Sequence, residues 1–442
     1  MRRCRNGWHS VVARILIVGG GYIGMYAARR LERQLDASSH QLTIVNPENF
    51  MLYQPFLPEV ASGLIDPRAV VVPLRRVLHR TQLVVGEVEE IDLAAQAASV
   101  RLAAGDLRQL GYDVVILGAG SWSRTLAIPG LAESGVGFKK LPEAIWLRNP
   151  VVSQLDKAAE IGDPSARRAA LTFVFVGAGF AGIEALGELE DLARVATRTT
   201  PSLERADQRW VMVEAGPQIL PELEPDLASY AAERLQARGI DIRTSTRLDR
   251  VEGGIVHLSD GDAFPAETLV WTAGVRAAPL AHASGFPVDN QGRVRVDRTL
   301  RVVDVEGAWA AGDVAAVPDE HASRGISPPT AQHALRQAKV LADNVAASLE
   351  GRALRPFRYE NKGMLCSLGH YRGVANPLGI KVRGFPAWFL HRTYHLLYMP
   401  TLARKARIAL DWTVALLFPR DIAQLGSLEH PRDAFRRAAG GD

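Results

Sequence analysis

Two glycine-rich segments of this 442-residue chain have the residue types and the spacing that bind phosphate groups. In a strand–turn–helix unit, the first glycine of a GxGxxG pattern allows the tight turn and the second lets a pyrophosphate approach the backbone. The third lets helix and strand pack closely, and the helix N-terminus faces the anion. The two segments, each directly after an apolar run, are Gly19-Gly20-Gly21-Tyr22-Ile23-Gly24 and Gly177-Ala178-Gly179-Phe180-Ala181-Gly182. One such pattern alone is weak evidence, but two in this context predict two bound dinucleotides, most simply a flavin and a nicotinamide.

A polar residue also stands where the second strand of each unit should end and meet the adenosine ribose. In the second unit this residue is Glu214, whose carboxylate would repel a 2′-phosphate and therefore favours NADH over NADPH. The alternative is a surface glutamate that merely ends a strand. Asn46 holds the same place in the first unit, where its amide can hydrogen-bond the ribose without carrying a charge.

Three further segments are expected to contact the flavin. Gly312-Asp313 follows an apolar strand. The pair either forms an ordinary turn or is the flavoprotein motif whose aspartate binds the ribityl chain. We favour the second interpretation. Gly120 lies where the apolar run 112–117 should meet a ligand. A helix predicted over 331–348 starts at Ala331 and Gln332, so its positive end would stabilise the anionic reduced flavin.

The elements that must position these residues repeat in the same order in both halves of the chain. We predict strand 14–20, helix 22–36 and strand 41–46, and then strand 171–176, helix 180–195 and strand 210–214. Residues 50–58 form a long connection that is too apolar for an ordinary surface loop and should pack on a ligand or a neighbouring domain. The expected fold class is α/β with two Rossmann-like dinucleotide-binding domains. The predicted domains are a discontinuous FAD domain over 11–125 and 285–350, an inserted NADH domain over 150–280, and a C-terminal membrane-associating region over 355–442.

Composition narrows the class of protein. The chain is 47% apolar and 23% charged, as in a folded globular protein, and its net charge of +4 does not by itself indicate nucleic-acid binding. The two cysteines, Cys4 and Cys366, exclude a disulfide framework, a cysteine-rich metal or iron–sulfur site, and the redox pair of flavin disulfide reductases. We expect no metal ion. The N-terminus lacks the apolar segment of a signal peptide, and no stretch reaches the length of a transmembrane helix.

Over nearly its whole length the chain resembles the type II NADH:quinone oxidoreductases, a branch of the pyridine nucleotide-disulfide oxidoreductase superfamily without redox cysteines. It departs from the usual pattern at Asn46, where an acidic residue is common, and at Gly118-Ala119-Gly120, where Ala-Thr-Gly is common. The segments that carry the resemblance are Gly19–Gly24, residues 53–63 (YQPFLPEVASG), Gly177–Gly182 with Ile183-Glu184, Thr272-Ala273-Gly274, Ala311-Gly312-Asp313, residues 331–337 (AQHALRQ) and residues 362–369 (KGMLCSLG).

The resemblance implies a bound FAD, NADH as co-substrate, and a membrane quinone as the electron acceptor, with hydride passing from NADH to FAD. It implies that Glu184 and Glu188 lie near the nicotinamide and that Gln332 and Lys362 line the approach of the quinone. The alternatives are a solvated Glu184–Glu188 pair on a helix, a Gln332 that only caps its helix, and an exposed loop lysine at 362.

The C-terminal region combines basic and aromatic residues. Six Lys or Arg and no Asp or Glu lie between Lys381 and Arg407. On a helical wheel, the apolar side chains from 389 to 398 fill one arc, opposite His391, Arg392 and His395. This pattern is typical of a helix that lies at the surface of an anionic membrane, here on the cytoplasmic side of the cell membrane. The alternative is a helix that packs on the core of the protein or on a second subunit of a homodimer.

The leading hypothesis is a peripheral membrane enzyme that oxidises NADH and reduces a quinone without moving ions. A soluble FAD- and NAD(P)H-dependent reductase of a small iron–sulfur or haem protein is the second hypothesis, although such a reductase has no need of the C-terminal segment. A redox-sensing protein that binds both dinucleotides but turns over slowly is the third. Sulfide:quinone reduction is disfavoured, because the cysteines that it requires are missing.

Overall fold

The computed structural model describes residues 13–322, 325–424, 436 and 438. Cys4, residues 1–8 of the predicted N-terminus and most of residues 425–442 of the predicted C-terminal region lie outside the described residues. The strands, numbered along the chain, are β1 (Ala13–Val18), β2 (His40–Asn46), β3 (Phe50–Leu52), β4 (Val71–Pro73), β5 (Gln82–Asp92), β6 (Ala97–Leu102), β7 (Leu107–Gly111), β8 (Val114–Leu117), β9 (Ser121–Ser123), β10 (Gly135–Gly137), β11 (Thr172–Val176), β12 (Arg209–Val213), β13 (Ile240–Arg243), β14 (Leu248–Glu252), β15 (Ile255–Leu258), β16 (Ala263–Pro265), β17 (Thr268–Trp271), β18 (Val275–Ala277), β19 (Val294–Arg295), β20 (Ala308–Ala310), β21 (Ala315–Ala316), β22 (Leu365–Ser367), β23 (Gly373–Ala375) and β24 (Val382–Arg383). The helices are α1 (Tyr22–Gln34), α2 (Leu57–Ala61), α3 (Leu74–Val77), α4 (Leu131–Ser134), α5 (Leu141–Glu160), α6 (Pro164–Ala170), α7 (Phe180–Thr197), α8 (Pro225–Gln236), α9 (Leu280–Ala283), α10 (Ala331–Leu349), α11 (Phe385–Tyr398) and α12 (Leu402–Leu417).

The first compact unit comprises the chain up to Tyr53, Val71–Arg124 and Gly274–Lys362. Its main sheet has the strand order β20-β8-β1-β2-β5-β6-β7, in which the strands from β20 to β5 are parallel. Strands β5, β6 and β7 form an antiparallel extension. The apolar run of β1 is buried on both faces, as parallel strands covered by helices are, and α1 packs against α10.

The second compact unit comprises Gln54–Val70, Thr125–Ala273 and the chain from Gly363 onward. Its parallel sheet has the order β10-β17-β11-β12-β13. All five residues of β11 are buried, and the ring of Phe173 stacks on that of Trp210 from β12, with 4.4 Å between ring centroids. Strands β14, β15 and β16 form a separate antiparallel sheet. The α/β class predicted from the sequence is confirmed.

The division of the chain differs from the predicted domain boundaries in two places. Residues 54–70 group with the second unit rather than with the first glycine segment. Residues from Gly363 onward also belong to the second unit, where α11 packs on β22, β23 and β24 instead of forming a separate region.

The expectation that residues 50–58 form a long connection is wrong, because this segment has regular structure. It contains β3, a short 3₁₀ helix over Gln54–Phe56 and the start of α2. Phe56 is completely buried, and its ring contacts His395 and Trp412 at centroid distances of 5.9 and 5.7 Å. The apolar character of the segment therefore reflects packing within the protein.

Within the described ranges, no helix combines the length and the apolar character that crossing a bilayer requires.

Candidate functional site

The first glycine loop (Gly19–Gly24) joins β1 to α1 at the carboxyl edge of the parallel sheet. Gly19 has a φ of +96°, a conformation that a residue with a side chain adopts at a cost. A Cβ on Gly24 would overlap the carbonyl oxygen of Gly19, so only glycine lets the helix start this close to the turn. At Gly21, by contrast, no described atom lies within 4 Å of where a Cβ would stand. The backbone at Gly21 is therefore open to a phosphate group.

The second glycine loop (Gly177–Gly182) has the same geometry in the other unit. Gly177 has a φ of +104°, a Cβ on Gly182 would overlap the carbonyl oxygen of Gly177, and the position next to Gly179 is open among the described atoms. The hydroxyl of Thr272, which directly follows β17, donates a 2.7 Å hydrogen bond to the carbonyl of Gly177. Gly274, two residues further on, has a φ of +86° and is also open on its Cβ side.

Glu214 and Asn46 each hold their own glycine loop. Oε2 of Glu214 accepts a 2.7 Å hydrogen bond from the amide of Ala178, and Oε1 accepts one of 2.7 Å from Gly216. Oδ1 of Asn46 accepts a 2.7 Å bond from the amide of Gly20. A carboxylate oxygen or an amide oxygen has a second lone pair, so both side chains can still accept a ribose hydroxyl.

The side-chain nitrogen of Asn46 donates hydrogen bonds that the sequence did not predict. Nδ2 donates to the carbonyl oxygens of Glu48 and Phe50, at 2.7 and 3.3 Å. An aspartate or glutamate has no such donors. Asparagine at this position thus closes the turn after β2 with its nitrogen, while its oxygen holds the glycine loop.

Asp313 follows a strand that lies two places from β1 in the first sheet, so it shares a sheet edge with the first glycine loop. It follows β20, which pairs in parallel with β8, and β8 pairs in parallel with β1, so the ends of the three strands share one edge. Oδ2 of Asp313 accepts a 2.5 Å hydrogen bond from the hydroxyl of Ser121, which follows β8 and Gly120. The amide of Gly312 donates to Gln337 of α10 at 2.8 Å. The first glycine loop, Gly120 and Asp313 therefore lie at one sheet edge.

The start of α10 is capped by Thr330, whose hydroxyl accepts a 3.3 Å hydrogen bond from the amide of His333. Gln332 is thus not the capping residue; its Oε1 accepts a 2.9 Å hydrogen bond from the Tyr359 hydroxyl. The guanidinium of Arg336 lies 4.2 Å from the centre of the Tyr359 ring. Lys362 is exposed. Tyr359 lies in a segment without regular structure, so no periodicity in the sequence could have indicated its contact with Gln332.

Glu184 and Glu188 on α7 are buried, which excludes the solvated pairing that their spacing allowed. Oε1 of Glu184 accepts a 3.0 Å hydrogen bond from the amide of Ser367. Oε2 of Glu188 lies 3.0 Å from the guanidinium of Arg420 and accepts a 3.2 Å bond from the hydroxyl of Ser62. Burial acts to raise the pKa of Glu188, but the nearby charges outweigh it and hold that pKa below its ordinary value.

A third buried carboxylate, Glu59 of α2, contacts both C-terminal helices. Its Oε1 lies 3.1 Å from Nε of Arg392, and its Oε2 accepts a 2.6 Å bond from the indole of Trp412. Burial raises the pKa of Glu59, and Arg392 only partly opposes this effect. Sequence reasoning placed Arg392 among the basic residues of a surface cluster. Its partner is 333 positions away in the chain, so local patterns gave no signal of the contact.

Both C-terminal helices expose large apolar side chains, and α11 also buries two polar side chains. On α11, His391 and Arg392 are buried, whereas Phe389 and Leu397 are 58% and 65% exposed. On α12, Ile408 is buried. We name the C-terminal apolar face by its exposed members, which are Phe385, Phe389, Leu397, Tyr398, Leu402, Leu410, Val414, Leu416, Leu417 and Phe418.

Comparison with known proteins agrees with these features. The family model for pyridine nucleotide-disulphide oxidoreductases matches residues 13–338. The chain is 31% identical to the type II NADH:quinone oxidoreductase Ndh of Mycobacterium tuberculosis, over 92% of this chain and 89% of that protein. It is 29% identical to a type II NADH:quinone oxidoreductase of Staphylococcus epidermidis, over 86% of this chain and 93% of the relative.

A solved structure has the same fold. NDH2 of Plasmodium falciparum in complex with NADH superposes with a TM-score of 0.84 at 16% identity, covering 93% of this chain and 99% of the other. The paired glycine loops, the matched family model and the relatives together identify the protein: it belongs to the pyridine nucleotide-disulphide oxidoreductases and, within them, to the type II NADH:quinone oxidoreductases.

Proposed function

We propose that this chain oxidises NADH and reduces a quinone, with FAD as its bound cofactor and without moving ions. The observation that carries the proposal is the presence of one open glycine loop in each compact unit, beside a ribose-binding side chain. One loop suits the pyrophosphate of FAD and the other that of NADH. The M. tuberculosis and S. epidermidis relatives bear the name of this activity.

The residues of the first unit fit FAD. The space next to Gly21 suits a pyrophosphate, Asn46 can accept a ribose hydroxyl, and Asp313 follows a strand at the same sheet edge. Bound FAD supplies a two-electron carrier that accepts hydride from NADH and passes electrons to a quinone. The contacts that we assign to the first unit are Gly19, Gly20, Gly21, Tyr22, Ile23, Gly24, Asn46, Gly120, Gly274, Gly312, Asp313, Ala331 and Gln332.

In the second unit, Gly177, Gly179, Gly182 and Glu214 would hold NADH. The Glu214 carboxylate would repel the 2′-phosphate of NADPH. Because the same carboxylate receives the amides of Ala178 and Gly216, its position is fixed before the nucleotide arrives. Such preorganisation supports a selective site.

We assign the quinone side of the reaction to Gln332 and Lys362, and add Tyr359. The Tyr359 hydroxyl fixes the amide of Gln332 through a 2.9 Å hydrogen bond, which leaves the Gln332 nitrogen as a donor for a quinone carbonyl. Lys362 is exposed, so it can meet an acceptor that comes from outside.

We propose that the C-terminal apolar face binds a membrane surface, and we place that surface on the cytoplasmic side of the cell membrane. Its ten members are large apolar side chains exposed to solvent, and exposed apolar surface of this kind marks interaction sites. Helix α11 buries its Arg392 beside Glu59. Three of the six basic residues counted in the sequence are committed elsewhere: Lys381 and Arg383 pair with Asp226, and Arg392 is buried. We therefore expect burial of the apolar side chains to contribute more to membrane binding than electrostatic attraction to anionic lipid does. A homodimer formed through the same face is the alternative.

The soluble-reductase hypothesis is not favoured, since the relatives named above reduce quinones and a soluble protein has no use for this exposed face. The proposal is tested by following NADH oxidation with a short-chain quinone, with and without phospholipid vesicles. Quinol formation by the flavin-loaded protein, together with its recovery on the vesicles, is the expected result. NADH oxidation that requires a protein acceptor would favour the soluble reductase instead.

A further inference from the structure

The segment between β12 and α8, residues 214–224, folds back onto the second glycine loop; we call it the β12–α8 loop. Two hydrogen bonds join the two loops at Ala178, which stands between the first two glycines of the pattern. The amide of Ala178 donates to the carboxylate of Glu214, and its carbonyl accepts a 2.8 Å hydrogen bond from the amide of Leu220. Both polar groups of the Ala178 backbone are therefore held by the β12–α8 loop.

Leu220 makes its contact from a backbone conformation that leucine avoids. Its φ is +48°, in the left-handed region where a Cβ is crowded by the backbone. The next residue is Pro221, and a residue before proline favours an extended conformation, so the sequence resists this geometry. Strained residues of this kind persist only where the surrounding structure holds them, and they concentrate at functional sites.

Buried side chains hold Leu220 in its strained conformation. Leu220 is completely buried, and Ile219 and Leu223 on either side of it are 2% and 4% exposed. A glycine at position 220 would adopt the same φ freely, but it would leave the loop without this apolar anchor. The start of the loop is also fixed, because the carbonyl of Gly216 accepts a 2.7 Å hydrogen bond from the amide of Ser245. The Leu220 amide therefore cannot move away from Ala178 without exposing apolar side chains.

The contact sets the direction of the next amide in the second glycine loop. The carbonyl of Ala178 and the N–H of Gly179 belong to one planar trans peptide, so they point in opposite directions. Because Leu220 holds the carbonyl on its own side, the N–H of Gly179 is turned away from the β12–α8 loop. The second glycine of the pattern is the position at which a pyrophosphate approaches the backbone, and the Cβ side of Gly179 is open among the described atoms.

We propose that Leu220 is a positioning residue of the nucleotide site, which fixes the Ala178–Gly179 peptide so that the Gly179 amide donates to the pyrophosphate of NADH. The inference rests on the proposed function, because it takes the second glycine loop to hold NADH. An amide that is aimed before the ligand arrives loses no orientational freedom on binding, which increases affinity. The β12–α8 loop thus carries both the side chain that we expect at the ribose, Glu214, and the residue that directs the phosphate contact.

The test changes the conformational preference of residue 220 and keeps its volume. Leu220→Ile has the same number of carbon atoms, but branching at its Cβ makes the left-handed conformation a true outlier, so the contact with Ala178 should open. Leu220→Met also fills the space without branching at Cβ, and it should behave as the parent protein does. The matched control is Leu227→Ile, at a completely buried leucine in the first turn of α8.

The readout is steady-state oxidation of NADH with ferricyanide, together with the inhibition constant of ADP-ribose, which keeps the pyrophosphate. A hydrogen bond to a charged group changes affinity by about tenfold or more. L220I should therefore raise KM for NADH and the inhibition constant of ADP-ribose by about tenfold, while kcat and flavin content stay near the parent values. L220M and L227I should leave both constants unchanged.

An L220I protein with the parent KM and inhibition constant overturns the inference. The same rise of KM in L227I or L220M overturns it as well, because general packing would then explain the effect.

If L220I does not fold, hydrogen exchange in the parent protein decides. The Leu220 amide should be protected without nucleotide, since its bond to Ala178 is already made, and saturating NAD⁺ should slow its exchange further. Fast exchange of this amide without nucleotide, or no change on adding NAD⁺, overturns the inference. If the parent protein binds NAD⁺ but does not reduce a quinone, the proposed function fails, and the dissociation constants of NAD⁺ in the same variants still decide the inference about Leu220.

Discussion

The backbone amide of Ala178 donates a 2.7 Å hydrogen bond to Glu214, which ties the carboxylate at the end of β12 to the second glycine loop. The carboxylate is therefore part of the loop that we assign to the nucleotide and cannot turn away from a 2′-phosphate without breaking this bond. The nucleotide preference and the conformation of the loop depend on the same side chain.

The choice of nicotinamide follows from this contact. We expect kcat/KM for NADH to exceed that for NADPH by about tenfold or more, because charge-assisted hydrogen bonds contribute about 1.5–3 kcal/mol. Glu214→Gln should reduce the preference by removing the repulsion, and should also raise KM for NADH because one acceptor of the loop amides is lost. Steady-state kinetics with both nucleotides check this; equal kcat/KM values in the parent protein would contradict the assignment.

Retention of FAD should depend on the open space at Gly21. Gly21→Val would place a branched side chain where we expect the pyrophosphate, so the variant should lose its flavin during gel filtration. Gly162→Val is the matched control, since no described atom lies within 4 Å of its Cβ position and it is outside both glycine loops. Flavin absorbance per protein is measured after filtration. Full flavin content in Gly21→Val would rule out this placement of FAD.

Binding to vesicles should depend on the C-terminal apolar face. Leu402, Leu410 and Leu417 are 81%, 64% and 74% exposed. Burying one leucine fully contributes about 1.5–3 kcal/mol, so replacing all three by serine should weaken co-sedimentation with vesicles by more than about tenfold. NADH oxidation with ferricyanide should stay near the parent rate.

The control for this triple variant replaces three exposed apolar residues elsewhere, Leu107, Leu126 and Ile255, by serine. High salt should weaken vesicle binding only slightly, because Lys381, Arg383 and Arg392 have partners in the protein. If the triple variant dissociates from a dimer but still binds vesicles, the face is a subunit interface.

Deletion of residues 381–442 is a less specific test of membrane binding. It would remove His391, Arg392 and Arg420 together and leave three buried carboxylates without cations. The outcome to be expected is loss of folding, which says nothing about lipid. For this reason the surface substitutions are preferred.

The stability of the second unit should depend on Arg420 in a pH-dependent way. Arg420→Met leaves Glu188 buried without its closest cation, and breaking a buried ion pair costs about 3–5 kcal/mol. In the parent protein the folded-state pKa of Glu188 is lowered, so its contribution is present above the ordinary carboxyl pKa and is lost as the pH falls through the folded value.

In the Arg420→Met variant we expect the opposite sign. Burial would then raise the pKa of Glu188, so acidification should recover part of the lost stability. Thermal unfolding at several pH values measures this, with Arg250→Met as the control because Arg250 is in an exposed ion pair with Glu252. An unchanged pH dependence in Arg420→Met would mean that Glu188 is not held by Arg420.

Sequence patterns predicted the parts of this fold that depend on neighbours in the chain. The apolar runs of β1 and β11 and the glycines that follow them define strand, turn and helix within about ten residues, so both glycine loops were predicted with their neighbouring elements. The same holds for Gly312-Asp313 after β20. In these cases local backbone geometry decides the structure.

Contacts between distant parts of the chain could not be predicted in this way. His391 and Glu184 are 207 positions apart, and Tyr359 reaches Gln332 from a segment without periodicity. The helical wheel correctly separated the apolar arc of α11 from His391 and Arg392. It did not indicate that the polar side faces inward, because that orientation is set by the buried carboxylates of α2 and α7.

The most direct test of the central claim is the stoichiometry of quinone reduction by the purified, flavin-loaded protein. NADH is added in limiting amount to an excess of a short-chain quinone without oxygen, and quinol is quantified. We predict one quinol per NADH. The rate of quinol formation should depend on the amount of bound flavin, in solution and on vesicles alike. NADH consumption without quinol, or quinol formation by protein from which flavin has been removed, would contradict the account.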